Sequence, residues 1–476
     1  MPDTPARPLW TAAEIAAATG GVLHVDDRPV TGLTYNSREI VPGDLFLALK
    51  GARDGHEFAA SAFAAGAAAA LVDRPVEGGP YVVVPDTLHG LEALGVAARE
   101  RAPQVKRGAV TGSVGKTSVT QAIKAGLDLA GPAHASIKSY NNHIGVPLTL
   151  ARMPVETRRA VFEIGMNAPG EIAPLSRFVA PHAACVTTVG PVHIEAFSDG
   201  EAGVAREKAS IFQGLIPGGT AVANGDVAFS GLLCHAARAV GARLVTFGTD
   251  PGHDARLLDF RPDAEGATVF ADLFGQPLEY RLAQSGAHWG LNSLCVLLML
   301  NALDVELETG LQALAGFQPL AGRGQTRTVA VPGGAFTLID ESYNANPLSM
   351  TAGFKSLAAR PAAGRRIAVL TDMLELGDQS RALHEGLAQP IEAAGLDLVH
   401  AAGPQMRWLY EALPTSRRGL WRETAAELAA EASVLAGPGD IVMVKGSNGS
   451  RASLVAKALA DLQTAPSSPD TPPAPR

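Results

Sequence analysis

The chain has 476 residues, 47% of them apolar, a formal net charge of −8 and only three cysteines. Its length exceeds what one hydrophobic core supports and implies roughly two to four domains, while the acidic balance excludes a general nucleic-acid binder, which needs a basic face. Cys185, Cys234 and Cys295 lie far apart with no CxxC pair, which argues against a disulfide framework or a zinc site and reads as buried small apolar residues.

In chain order, Met1-Pro-Asp-Thr-Pro-Ala-Arg7 lacks the apolar stretch of a signal peptide, and the alanine-dominated run Ala59 to Val72 is too short to span a bilayer. A cytoplasmic protein without a membrane span is therefore expected. Short strands at Gly21–His24, Leu45–Leu49 and Tyr81–Val84, mixed with alanine-rich helices, predict a small N-terminal α/β domain over 1–104. From 105 to 321, strands at Val161–Glu163, Val186–Val189, Thr220–Asn224 and Leu244–Phe247 alternate with helices, the pattern of a parallel sheet covered on both faces. The alternation continues over 322–463 with strands at Phe336–Asp340, Ile367–Leu370, Leu396–Val399 and Ile441–Val444, giving a Rossmann-like third domain. Thr464 to Arg476 is rich in Pro, Ser, Ala and Thr and is expected to be disordered. The fold class is thus three-domain α/β with a central phosphate-loop domain.

The strongest chemical signal is Thr111-Gly-Ser-Val-Gly-Lys-Thr117. Gly112, Ser113 and Gly115 let backbone N–H groups turn toward an anion, Lys116 adds charge for the outer phosphates, and the Thr117 hydroxyl suits a magnesium ion. Val110 stands where the full eight-residue pattern has its first glycine, so this is the shortened form. Val119, Ile123 and Leu127 then recur at helical spacing, which puts Lys116, Thr117 and Ser118 at a helix N-terminus, itself an anion site. Glu163 ends a later strand, where phosphate-loop enzymes keep a magnesium-binding carboxylate. His193 and Glu195 follow another strand and the Gly190-Pro191 turn, and two such groups beside a phosphate site favour metal ligation.

These residues, with Asn141-Asn142, Gly145-Val-Pro-Leu-Thr149, Glu163-Ile-Gly-Met-Asn167, Lys208, His288 with Asn292, Gly322-Arg323 and Asp340-Glu-Ser-Tyr-Asn-Ala-Asn-Pro347, resemble the Mur ligases of peptidoglycan synthesis over nearly the whole chain. Asp372-Met-Leu-Glu-Leu-Gly377 and Val444-Lys-Gly-Ser-Asn448 look most like the branch whose substrates are UDP-N-acetylmuramoyl-tripeptide and D-alanyl-D-alanine. The resemblance implies an ATP- and Mg²⁺-dependent amide ligase working through an acyl phosphate; because a chain with three domains of its own has no obvious need of partners, a monomer is expected. It implies Thr117 and Glu163 on a first magnesium, and His193 with a carbamylated Lys208 on a second. ATP contacts are implied for Asn292, Arg323, Asp340, Tyr343, Asn344 and Asn346. Ser37, Arg38 and the Gly51–His56 loop resemble the uridine-diphosphate site, and Asn141, Asn142, Lys445 and Ser447 are implied in substrate binding. Taken locally, Arg206-Glu207-Lys208 reads as a solvated helix face and Tyr343 to Pro347 as a turn-former. Asn36, Trp289 and Ala452 depart from the family pattern without removing a catalytic group. Two alternatives stand beside this reading: a sibling ligase or folylpolyglutamate synthetase-like enzyme adding one amino acid, and a nucleotide switch or ATPase.

Overall fold

The computed structural model describes residues 8–24, 26–137, 139–263 and 265–463, so the expectations for the first seven residues and for 464–476 fall outside the described residues. The described chain forms two compact units. One comprises the described parts of Met1–Thr187 with Arg206–Thr246 and Cys295–Ala313, the other those of Thr188–Ala205, Phe247–Leu294 and Leu314–Arg476.

In the first unit, a small sheet runs in the order Val22–His24, Tyr81–Val83, Ala69–Val72, Asp44–Leu47, Gly32–Thr34, with only the Val22–His24 pairing antiparallel. Leu45, Leu47 and Leu71 point to one core, while Phe46, Ala70 and Val72 point to another, the period-2 alternation of a strand buried on both faces. A larger sheet has the order Ala133–Ala135, Arg159–Glu163, Lys106–Thr111, Ala183–Val186, Thr220–Asn224, Arg243–Gly248. Its first five strands are parallel, so Thr111, Glu163 and Val186 reach the same carboxyl edge, where open α/β sheets collect ligands. The strand expected at Val186–Val189 lies three residues earlier, at Ala183–Val186. The alanine pair that opens it has low strand propensity and disguises a fully buried parallel strand.

In the second unit, Ala255–Pro262, Ala267–Leu273 and Gln276–Leu282 form an antiparallel meander that the expected run of parallel strands did not include. Its second turn is Phe274-Gly275 with φ of 54° and 81°, the pair of positive dihedrals that a two-residue type I′ hairpin requires. A six-stranded sheet follows in the order Gln325–Val331, Gly334–Glu341, Ile441–Lys445, Arg366–Thr371, Leu398–Ala402, Arg418–Arg422, parallel except for the first hairpin. The strand expected at Leu396–Val399 is displaced toward Ala402, again across alanines. Met350, Phe354, Leu370 and Met443 fill one face of this sheet, and Phe336, Val369, Val442 and Leu459 fill the other. Cys185 and Cys295 are buried as expected and Cys234 is half-buried. No helix among the described residues is long and apolar enough to cross a membrane.

Candidate active site

The phosphate loop links strand Lys106–Thr111 to helix Lys116–Leu129, and Val119, Ile123 and Leu127 bury the helix face their spacing predicted. Gly115 occupies the N-cap position at φ 86°, a conformation that favours glycine, and no side chain caps the helix. The first-turn N–H groups and the positive end of the helix dipole therefore face the loop. Lys116 Nζ donates to the Gly112 carbonyl at 2.8 Å, folding the ammonium over the loop. Thr187 Oγ1 donates to the Val114 carbonyl at 2.6 Å and pins the loop from the neighbouring strand end. Ser113 is buried and Ser118 half-buried.

Glu163 is the node of this site. It is 1% exposed, and Thr117 Oγ1 donates to its Oε2 at 2.7 Å while Asn141 Nδ2 donates to its Oε1 at 2.7 Å. Ser136 Oγ accepts from the Glu163 backbone N–H at 3.0 Å, and Ser139 lies 3.3 Å from Thr117 Oγ1. A buried carboxylate needs such donors in place of water. Asn141 approaches because residue 165 is glycine; a Cβ there would lie 2.8 Å from the Asn141 amide carbon. Asn142 instead caps helix Gly145–Ala151, its Oδ1 accepting from Ile144 N and Gly145 N.

Lys208, on helix Glu201–Ala209, is 1% exposed, so the solvated-face reading of Arg206-Glu207-Lys208 fails. Burial first, then the positive charge of Lys116, hold its pKa well below the ordinary lysine range, with Glu207 opposing. Glu207 is also buried because both its oxygens are in use, accepting from Gly170 N and Ile172 N at 2.8 Å at the start of helix Ile172–Val179. Two amines that each raise the cost of the other's charge mark a region suited to anions.

The second unit holds His193, Glu195 and the candidates for the nucleoside and the dipeptide. His193 has φ 51° and its Nδ1 lies 2.9 Å from Glu375 Oε2; Glu195 is exposed. Among the described residues no three His, Cys, Asp or Glu side chains form a set that could hold a metal ion. The Asp372–Gly377 loop that carries Glu375 is tied down at four points. Met406 N donates to Asp372 Oδ1 at 2.7 Å, Ser447 N to the Asp372 carbonyl at 3.2 Å, Met373 N to His384 Nε2 at 3.1 Å and Leu374 N to Ser447 Oγ at 3.0 Å. Burial pushes the Asp372 carboxyl up, against the backbone N–H groups of Met406 and Gln405. Left-handed backbone at non-glycine residues costs about 1–2 kcal/mol each, and these bonds are what can hold Glu375 at φ 62°.

Lys445 is 3% exposed; its Nζ lies 3.2 Å from Glu341 Oε2 and 3.2 Å from the Asn344 carbonyl. Ser447 Oγ donates to the Ala345 carbonyl at 3.3 Å. The Arg323 guanidinium lies over the Tyr343 ring at 4.0 Å, and Gly322 at φ 71° permits the approach of Tyr343. Asn346 spends its Oδ1 on a capping box with Ser349 that starts helix Pro347–Ala359. Asp340 Oδ1 accepts from Ser342 N, and Asn344 is exposed. Asn292 lies one turn beyond His288 on helix His288–Ala302, and Trp289 is buried with its ring 5.6 Å from Phe317. A cavity of about 350 Å³ in this unit is lined by Arg323, Glu341, His288, Trp289, Gln284 and Arg360 among others.

Sequence reasoning missed Glu341, Arg360, Thr187, Ser136 and the contact made by Glu375. Arg360, which donates to Ser285 and Thr326 hydroxyls, gave no local signal; Glu341 and Glu375 stood inside motifs already singled out. At the uridine-diphosphate candidate, Asn36 Oδ1 accepts from Arg38 N at 3.1 Å, so this amide serves the turn where the family pattern has Asp. Ser37 is half-buried and Arg38 exposed, while Arg53 is engaged by Glu57 at 2.6 Å.

Comparison with known proteins shows the family and the fold. The Mur ligase family catalytic domain matches residues 29–107, the Mur ligase middle domain 110–300, and the Mur ligase glutamate ligase domain 322–448. The UDP-N-acetylmuramoyl-tripeptide–D-alanyl-D-alanine ligase of Escherichia coli K12 is 34% identical over 83% of this chain and 86% of its own. That of Bacillus subtilis 168 is 32% identical over 83% and 85%. Among solved structures, MurF from Acinetobacter baumannii superposes with a TM-score of 0.83 at 30% identity, covering 95% of this chain and 98% of that one. MurF from Thermotoga maritima in complex with ADP shares the fold, with a TM-score of 0.75 at 24% identity over 90% and 97%. The chain belongs to the Mur ligase family, with its three-domain α/β fold.

Proposed function

We propose that the protein is an ATP-dependent amide ligase that joins D-alanyl-D-alanine to UDP-N-acetylmuramoyl-tripeptide in the cytoplasm, as a step of peptidoglycan precursor synthesis. The observation that carries the reading is the buried set at the phosphate loop: an uncapped helix N-terminus, Lys116 folded over the loop, Thr117 bonded to Glu163, and Lys208 sealed from solvent. The relatives named above supply the substrates.

The barrier is electrostatic, since a carboxylate anion must attack an anionic γ-phosphate. The tripeptide carboxylate oxygen bonds to phosphorus as the bond to ADP breaks, giving an acyl phosphate. The dipeptide amine then attacks the acyl carbon, loses a proton, and phosphate leaves with the carbon–oxygen electron pair. In this reading Lys116 and the N–H groups of Gly112, Ser113, Gly115 and Ser118 neutralise the β and γ phosphates. Thr117 Oγ1 and Glu163 Oε2, 2.7 Å apart, fit magnesium, which is typically held by one or two carboxylates together with substrate phosphates. Bound Mg²⁺ would lower the charge repulsion between the two anions. A neutral Lys208 amine can add CO₂ and release a proton to become a carbamate, an anion that with His193 would hold a second magnesium. Asn292, Arg323, Asp340, Tyr343, Asn344 and Asn346 would take the nucleoside, Ser37 and Arg38 the uridine diphosphate, Asn141 and Asn142 the tripeptide end, and Lys445 and Ser447 the dipeptide. The corresponding division of labour is 1–104, 105–321 and 322–463, in a monomer.

The test is an amide-product assay with UDP-N-acetylmuramoyl-tripeptide and ATP, comparing D-alanyl-D-alanine with free D-alanine, L-lysine, diaminopimelate and glutamate. The dipeptide should be the acceptor that yields product. Equal or better ligation of a single amino acid would overturn the acceptor assignment, and phosphate release with no amide in any arm would overturn the ligase reading.

A further inference from the structure

We infer that Glu375 is a positioning residue whose carboxylate fixes the His193 ring so that its Nε2 lone pair is presented to a divalent cation. The inference rests on the proposed function, in which His193 is a cation ligand.

The pair itself is the first observation. Glu375 Oε2 sits 2.9 Å from His193 Nδ1. A carboxylate acceptor keeps a proton on Nδ1, so the neutral ring carries its lone pair on Nε2. Metal-binding histidines are commonly built this way, because the carboxylate on the far nitrogen fixes tautomer and ring orientation and raises ligand basicity.

The backbone is the second. His193, Glu375 and Gly377 all adopt left-handed conformations, with φ of 51°, 62° and 52°. Such dihedrals are uncommon for glutamate and persist where the surroundings over-determine them, which happens most at functional sites. Here the surroundings are explicit: Asp372, Met373 and Leu374, just before Glu375, are each bonded to Met406, His384 or Ser447. Residue 377 is a glycine at φ 52°, a left-handed conformation that favours glycine, and it packs against the Glu195 side chain.

Stability does not account for the arrangement. The Glu375 side chain is 63% exposed, and ion pairs of that exposure add little to folding. A loop held in an unfavourable conformation to deliver a mostly exposed carboxylate to one histidine nitrogen is explained by what that nitrogen's partner controls.

The experiment compares wild type with Glu375→Ala and Glu375→Gln. Selective ¹⁵N-histidine labelling, assigned with His193→Gln, reads the tautomer of His193 in the metal-free protein. Electron paramagnetic resonance then reads Mn²⁺ affinity in the presence of a non-hydrolysable ATP analogue. Glu375→Ala should move His193 away from the Nδ1–H tautomer and weaken Mn²⁺ binding about 10- to 100-fold. Glu375→Gln, whose amide oxygen still accepts from Nδ1, should recover part of both, and thermal midpoints should stay together. An unchanged tautomer with wild-type Mn²⁺ affinity in Glu375→Ala would overturn the inference while leaving the ligase reading intact. Tighter Mn²⁺ binding would overturn it too, marking Glu375 as a competitor for His193. A wild type that binds no Mn²⁺ with the analogue would overturn the metal reading and this inference together.

Discussion

The phosphate-loop cluster and the Asp372–Gly377 cluster are built differently. Around the loop, polar side chains converge on one buried carboxylate: Thr117 and Asn141 both spend donors on Glu163, Lys116 and Thr187 donate to loop carbonyls, and the helix N–H groups keep no side-chain cap. Around Asp372, polar side chains bond mostly to backbone: Asp372 to Met406 N, Ser447 to Leu374 N and the Ala345 carbonyl, Lys445 to the Asn344 carbonyl. The first arrangement aims charge at a ligand, whereas the second uses its polar groups to hold loops in shape. Charge chemistry should therefore fail when the first is altered, and acceptor recognition when the second is.

The largest expected effect is that of Lys116→Ala, which should reduce amide formation by about a hundredfold or more, as loss of a preorganised charge contact does. Its thermal midpoint should match wild type; near-normal ligation would break the contrast at its strongest point. Lys208→Met comes next. Removing a buried amine that resists protonation should leave stability unchanged or raised, since the methionine keeps the volume without the desolvation cost, while activity falls by about the same order. In Lys208→Ala, a short carboxylate added to the buffer should restore part of the rate by replacing the carbamate anion. Intact-mass measurement of active, magnesium-loaded enzyme showing an unmodified Lys208 would remove the carbamate from the mechanism.

Ser447→Ala should act on the other side of the contrast. It strips partners from Leu374 N and the Ala345 carbonyl, an unmet buried donor costing about 1–3 kcal/mol. The KM for D-alanyl-D-alanine should rise roughly tenfold, an effect near the lower end of that range. ATP affinity should hold, and a loss of ATP affinity instead would merge the two clusters.

The smallest effect is pH-dependent and falls on both regions alike. Burial depresses His134, on the strand beside Arg159–Glu163, and His400, on Leu398–Ala402, from 6.5 to about 4. The folded state then binds fewer protons than the unfolded one between those values, so stability falls as pH drops from 6.5 toward 4 and levels off below. Each should contribute about 1 kcal/mol over the first unit below 6.5. Urea midpoints at pH 7 and 5.5 for His134→Gln and His400→Gln check this through a shallower slope.

Legibility in the sequence followed the length scale of the interactions. The phosphate loop and its helix were readable because turn, charge and apolar spacing lie within one stretch from Thr111 to Leu127. Glu163 was readable as an acid ending an apolar strand. The two displaced strands, Ala183–Val186 and Leu398–Ala402, were misplaced because alanine carries little strand preference although burial in a parallel sheet accepts it. The meander of Ala255–Leu282 was missed although the burial of Ala267–Leu273 alternates residue by residue, since alternation on one half-exposed face is weak beside a run of buried strands.

What the sequence by itself determined is the chemistry that short-range geometry can hold: an α/β chain with a phosphate-gripping helix N-terminus and a strand-end carboxylate. Tertiary structure alone decided which ambiguous charges are buried and what they face. Lys208 and Glu207 sit in a helix stretch that reads as solvated, yet one is sealed from water and the other caps a helix 35 residues away. Lys445 finds Glu341 across 104 residues, and Glu375 finds His193 on a segment from a different part of the chain. Periodicity reports which face of an element is apolar, but the partner of a buried charge is set by which strand ends the sheet order brings together.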